Sequence, residues 1–108
     1  SYVATVGVAS ARMPAYAIMD VQIHDIGEYM EYMGRVGPML EAAGARYLVR
    51  GGPFTVLEGD YEPHRLVLVE FPTLAAVEAF HSSDEYKALR EQRDRCSHTR
   101  LIAVSGLD

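Results

Sequence analysis

A chain of 108 residues, 49% of them hydrophobic, makes one domain with a core of its own and little room for a second. Ten Lys and Arg against fifteen Asp and Glu give a formal charge of −5, and Arg90, Arg93, Arg95 and Arg100 are interleaved with Glu91 and Asp94, which excludes a basic face for nucleic acid. No stretch approaches the roughly 20 apolar residues of a membrane helix, and the single cysteine, Cys96, cannot form an internal disulfide, which fits a reducing, cytoplasmic setting.

Residues 1–13 read as an extension ahead of a single domain at 14–108. They lack the basic start and the long apolar run of a secretory leader. Their alternating small and β-branched residues favour an extra strand or a contact across a dimer over a leader remnant. Tyr16 to His24 is a strand with Ala17, Met19, Val21 and Ile23 on one face, while Asp20, Gln22 and His24 make the other face a partly wet cavity or an interface.

Asp25 stands at an N-cap position with Glu28 three residues on, close to a capping box. The helix that follows recurs in Ile26, Tyr29, Met30, Met33, Val36, Gly37 and Leu40, and Gly44 suits a left-handed end. Tyr47–Arg50 and Phe54–Glu58 are two short strand patterns split by Gly51-Gly52-Pro53. Arg65 to Phe71, apolar on both faces, predicts a central strand, which Pro72 stops. Thr73 and Ser83 cap two further helices, the second with Asp84 and Glu85 in its first turn, and a last strand runs from about Thr99 to Ser105.

The resulting order is the split βαβ, or ferredoxin-like, α+β arrangement with an antiparallel sheet. Its helices cover one face of that sheet. The uncovered face would expose a contiguous apolar patch, so a second copy packed sheet to sheet, a two-fold homodimer open to further pairing into a tetramer, is expected.

Leu48-Val49-Arg50-Gly51-Gly52, Val56-Leu57-Glu58-Gly59, the run Pro63 to Pro72, Ser83-Asp84-Glu85-Tyr86 and Arg93 lie in register over most of Tyr16 to Gly106. In these the chain resembles the family numbered 1330 among domains of unknown function. The resemblance implies a dimeric α/β barrel, a superfamily with cofactor-free monooxygenases, muconolactone-type isomerases, polyketide-pathway cyclases and haem proteins. Two departures stand out: His81 occupies a position that is usually aromatic, and the segment before Met13 is longer than usual.

Several residue types could carry chemistry. Arg50, beside a glycine pair, can clamp a carboxylate or enolate with its planar fork, or form an ion pair with Glu58 or Glu70. Tyr86, Arg90 and Arg93 share a helical face, within reach of one anion, unless Tyr86 is core and the arginines run to solvent. His24 and His81 are the general-base candidates, against solvated or core roles. Asp20, in mid-strand, is either a pocket acid with a raised pKa or a paired interface residue. Tyr29 and Met33 complete a candidate substrate wall, with the methionines equally readable as core filling.

The four histidines show no metal-ligand spacing, and Cys96 has only His98 as a nearby base, so no metal and no cofactor is expected. The function expected is cofactor-independent isomerisation, cyclisation or oxygenation of a small carbonyl-bearing or aromatic metabolite. His24, His81 or Asp20 would move the proton while Arg50 or Arg93 stabilises the oxyanion. The alternative is a binding or dimerisation module without turnover.

Overall fold

The computed structural model describes residues 13–107, and the strand expected ahead of Met13 falls outside them. In β1 (Ala15–Ile23) the two-residue period buries Ala15, Ala17 and Val21 on one face and turns Tyr16, Ile18, Asp20 and Gln22 to the other. Asp25 then caps α1 (Ile26–Ala42), its carboxylate accepting the Glu28 N–H at 3.1 Å. The reciprocal half of the capping box does not form. The Glu28 side chain pairs with Arg95 at 3.1 Å, and the Asp25 N–H donates to the Cys96 carbonyl at 3.2 Å.

The far end of α1 closes as a Schellman motif. Gly44 takes φ +76°, its N–H donates to the Glu41 carbonyl, and the Ala45 N–H donates to that of Leu40. The buried stripe of α1 is Tyr29, Tyr32, Val36 and Leu40. It corrects the expected stripe, for Ile26 is 61% and Met30 67% exposed. The helix is turned toward Tyr32, whose hydroxyl can sink below the surface because it meets that of Tyr86 at 2.8 Å.

β2 (Arg46–Arg50) pairs antiparallel with β3 (Leu66–Phe71), with a register irregularity between Tyr47 and Val49. No strand forms at Phe54–Glu58, contrary to its sequence pattern. Gly51 turns the chain with φ +70° and its N–H donates to the Leu66 carbonyl at 2.8 Å, so β2 passes into β3 with residues 51–65 looped out. Branched and aromatic side chains favour a pleated surface, but residues 54–58 pair with no strand of the sheet.

Thr73 caps α2 (Leu74–Ser82) through the Ala76 N–H at 3.0 Å, and Ser83 caps α3 (Asp84–Cys96) through the Tyr86 N–H at 3.1 Å. β4 (Ser97–Ser105) completes a four-stranded sheet of order β2-β3-β1-β4. This is the antiparallel ferredoxin-like arrangement, with β1 and β3 central. In register, Ala17 lies between Val69 and Ala103, and Asp20 between Leu66 and Arg100.

The core lies between the sheet and the helices. Val67, Val69 and Phe71 meet Tyr29, Val36, Val77, Tyr86 and Leu89 there. The opposite face carries Ile18, Leu66, Leu68, Ile102 and Val104, with Ile102 63% exposed.

Candidate functional site

Ala17 is a small residue at the centre of β1, and large aromatic rings face it from the helices. The mismatch leaves a cavity of about 50 Å³ between the layers, walled by Tyr29, Tyr32, Met33, Tyr47, Phe80, His81 and Tyr86 over Ala17, Met19, Val67 and Val69. It has room for a few waters or one functional group of a ligand.

One corner of this apolar space is polar. The Tyr32 and Tyr86 hydroxyls are 2.8 Å apart, and Arg93 Nη1 donates to Tyr86 Oη at 3.0 Å. Arg93 is only 5% exposed. Its Nη2 reaches Asp94 at 3.2 Å, and its Nε is buried with no acceptor among the described residues. Burial opposes the guanidinium charge, but Tyr86, Tyr32 and Asp94 outweigh it and hold the group ionised. Burial, reinforced by Tyr86, pushes the Tyr32 phenol far up, so it stays protonated.

His81, near the end of α2, stands beside this corner with its ring 6.0 Å from that of Tyr86. Arg90 Nη1 lies 3.4 Å from His81 Nδ1 and 3.3 Å from Nε2. Burial, then the Arg90 and Arg93 charges, lower the His81 pKa below its usual value, leaving a neutral imidazole at pH 7.

A second group of cations lies toward the ends of β2 and β3. The Arg65 guanidinium sits 5.7 Å from the Tyr29 ring centroid and that of Arg50 4.9 Å from Tyr47. Gly51 makes room for Arg65, since a Cβ there would collide with its Nη1. Arg50 forms no ion pair with Glu58 or Glu70, because Glu70 pairs with Arg46 at 3.1 Å.

Of the sequence candidates, Tyr29, Met33, His81 and Tyr86 wall the cavity, with Arg93 and Arg90 directly behind them and Arg50 on the outer side of Tyr47. Asp20 and His24 do not join them. Asp20 is on the even-numbered face of β1, which points away from the helices, and His24 lies just past the end of the strand.

The Asp20 carboxylate accepts Tyr61 Oη at 2.7 Å and the His64 N–H at 2.9 Å, holding the 51–65 loop against the open sheet face. Its pKa is lowered, not raised as a pocket acid would need. Burial pushes it up, but the bonds from Tyr61 and from the His64 and Arg65 backbone, with the nearby His64 imidazole, more than reverse that. His24 packs edge-on against His98, ring centroids 4.7 Å apart. Among the described residues no group of three or more His, Cys, Asp or Glu could hold a metal ion, and no helix is long and apolar enough to cross a membrane.

Tyr32, Tyr47 and Arg65 were not singled out in the sequence. Tyr32 follows Tyr29 by three residues and precedes Val36 by four, a helical spacing that could have revealed it. No local signal marks Arg65, whose role depends on the loop that brings Gly51 under its guanidinium.

Sheet order, register and a helix-covered cavity define a ferredoxin-like α+β domain. The chain belongs to the family described as Domain of unknown function (DUF1330), whose model matches residues 14–107. Two solved structures of the RPA0582 protein are similar in fold. The one described as a protein of unknown function from Rhodopseudomonas palustris has a TM-score of 0.72 at 19% identity, covering 99% of this chain and 92% of that one. The methylated RPA0582 protein gives 0.74 at 18% identity, covering 99% and 90%. A conserved protein from Methanosarcina mazei Go1 is more distant, with a TM-score of 0.53 at 13% identity, covering 88% and 94%. No curated protein matches the chain.

Proposed function

We propose that this protein is a cofactor-independent enzyme that moves a proton on a small, largely apolar carbonyl compound, an isomerase or cyclase type of reaction. The observation that carries this is the polar corner of the apolar cavity, where a neutral His81 stands beside Tyr86 and Tyr86 is backed by Arg93 and Tyr32.

A phenol oxygen has two lone pairs and one proton. If Arg93 and Tyr32 both donate to Tyr86 Oη, the Tyr86 O–H is free to donate to a substrate carbonyl oxygen. His81 takes a proton from the adjacent carbon, the electron pair moves to that oxygen as an enolate, and Tyr86 stabilises the charge. The imidazolium, disfavoured by Arg90 beside it, returns the proton to the same carbon or, where a C=C bond beside that carbon makes the enolate a conjugated dienolate, to its far carbon, which shifts the double bond. Positioned acid–base catalysis supplies about 10² to 10⁴ in rate. An oxyanion donor supplies about 10² to 10³.

The protein would act as a homodimer in a reducing compartment such as the cytoplasm. The apolar open face with Ile102 and Val104 supports the first statement, and the lone buried thiol of Cys96 the second. Replacing Ile102 by Lys should shift sedimentation from dimer to monomer, and a wild-type monomer at micromolar concentration rejects the dimer.

The catalytic proposal is tested in deuterium oxide by NMR, with 1-phenylpropan-2-one and 4-phenyl-2-oxobutanoate as probes. Exchange of the hydrogens next to the carbonyl should accelerate over buffer and fall about 100-fold in His81→Gln. No acceleration with either probe, or full activity in His81→Gln, rejects proton transfer at this site.

A further inference from the structure

We infer that the cavity's ligand is a carboxylate with an apolar body, and that Arg65 and Arg50 form the subsite for its acid group. This rests on the cavity being a ligand site, as proposed above, but it concerns the end away from His81. Among the described residues Arg46, Arg93 and Arg95 each form an ion pair with their own carboxylate, and His64 lies 4.0 Å from that of Asp20. Arg65 and Arg50 are, with Arg35, Arg90 and Arg100, among those that have none.

That is unusual for Arg65 in particular. Its Nε is buried with no acceptor among the described residues, and a half-buried guanidinium lacking a counter-charge is costly to keep. Tyr29 cannot supply that charge. Burial pushes its pKa up more than Arg65 pulls it down, so its phenol is neutral at pH 7.

The two guanidiniums are also positioned together. Arg50 lies opposite Val67 in the β2–β3 register, Arg65 directly precedes β3, and Gly51 N–H to Leu66 O at 2.8 Å ties the two ends. Each is held on a tyrosine that walls the cavity, Arg65 on Tyr29 and Arg50 on Tyr47. A chain of formal charge −5 thus keeps Arg65 and Arg50 without acidic partners among the described residues, beside two tyrosines of the wall of its apolar cavity. A planar fork is the group that binds a carboxylate by two parallel bonds, and a second cation on the same side adds to the attraction.

Titration calorimetry with 3-phenylpropanoate and its neutral isostere 3-phenylpropanamide reads the acid group alone. The acid should bind at least about tenfold more tightly than the amide, as expected when a hydrogen bond engages charged groups, and the preference should shrink at high salt. Arg65→Gln should erase the preference by weakening the acid far more than the amide. Should that variant lose its native circular dichroism, Arg50→Gln, at an exposed position, decides by reducing the preference several-fold.

Equal binding of acid and amide, binding of neither at millimolar concentration, or a preference that survives both substitutions overturns the inference. Acid preference without hydrogen exchange leaves the subsite standing and removes proton transfer. Exchange without acid preference does the reverse.

Discussion

Replacing Tyr86 by Phe removes one oxygen from the centre of a buried network. That oxygen meets Tyr32 Oη at 2.8 Å and accepts Arg93 Nη1 at 3.0 Å. Without it, Arg93 has a second buried nitrogen lacking an acceptor, in addition to Nε. Leaving a buried polar group unpaired costs about 1–3 kcal/mol, more when it is charged, and the stranded Tyr32 hydroxyl adds about 1 kcal/mol.

The expected loss is therefore about 2–4 kcal/mol, a large share of the roughly 5–15 kcal/mol of a whole domain. At about 4–8 °C per kcal/mol, Tm should fall by about 8–32 °C. Tyr32→Phe is the internal comparison. It breaks only the 2.8 Å bond and leaves Arg93 paired with Tyr86, so it should cost about 0.5–1.5 kcal/mol.

The double variant should cost less than the sum of the two, because both singles break that same bond. Urea unfolding followed by circular dichroism measures all three, at several protein concentrations so that any association is separated from folding. A Tyr86→Phe stability within about 0.5 kcal/mol of wild type, the usual range for an inconsequential substitution, would falsify the network, as would a larger cost for Tyr32→Phe.

His81 should titrate below its ordinary value of 6.5, because burial and the Arg90 and Arg93 charges oppose its protonation. Its contribution to stability is then complete above that value and is lost as pH falls through the lower, folded-state pKa. An NMR titration of the imidazole with its midpoint at or above 6.5 contradicts this, as does a His81→Phe variant with an unchanged pH dependence of stability. At Gly51, Ala would be forced to φ +70° and its Cβ driven into the Arg65 guanidinium, so Gly51→Ala should lower stability by at least about 1–2 kcal/mol. Gly52→Ala, with nothing within 4 Å of the added carbon, should stay within about 0.5 kcal/mol of wild type. Thermal melts showing equal effects for the two glycines exclude the proposed contact.

Much of the fold was legible because its signals are local. Asp25, Thr73 and Ser83 each satisfy an N–H three residues on, Gly44 adopts a conformation that costs other residues more, and the alternation of β1 needs only the two-residue pleat. Leu66 to Val69, apolar at every position, likewise marked a strand with neighbours on both sides, and β3 has β2 and β1 there. Such features depend on residues within a turn or so of one another.

The same local information misjudged Phe54–Glu58 and Met30. A strand exists only where another edge accepts its hydrogen bonds, and a helix buries the face that its neighbours can pair. The candidate site depends on still longer connections. Tyr86 and Arg93 share a helical face that the sequence spacing shows, but Tyr32 enters from another helix, 54 residues from Tyr86. Arg65 reaches Tyr29 only because the loop closes on Gly51, and Asp20 is removed from the cavity by a one-residue difference in strand phase. Periodicity sets which residues share a face; register, helix rotation and loop closure decide which faces meet, and these come from packing the whole chain at once.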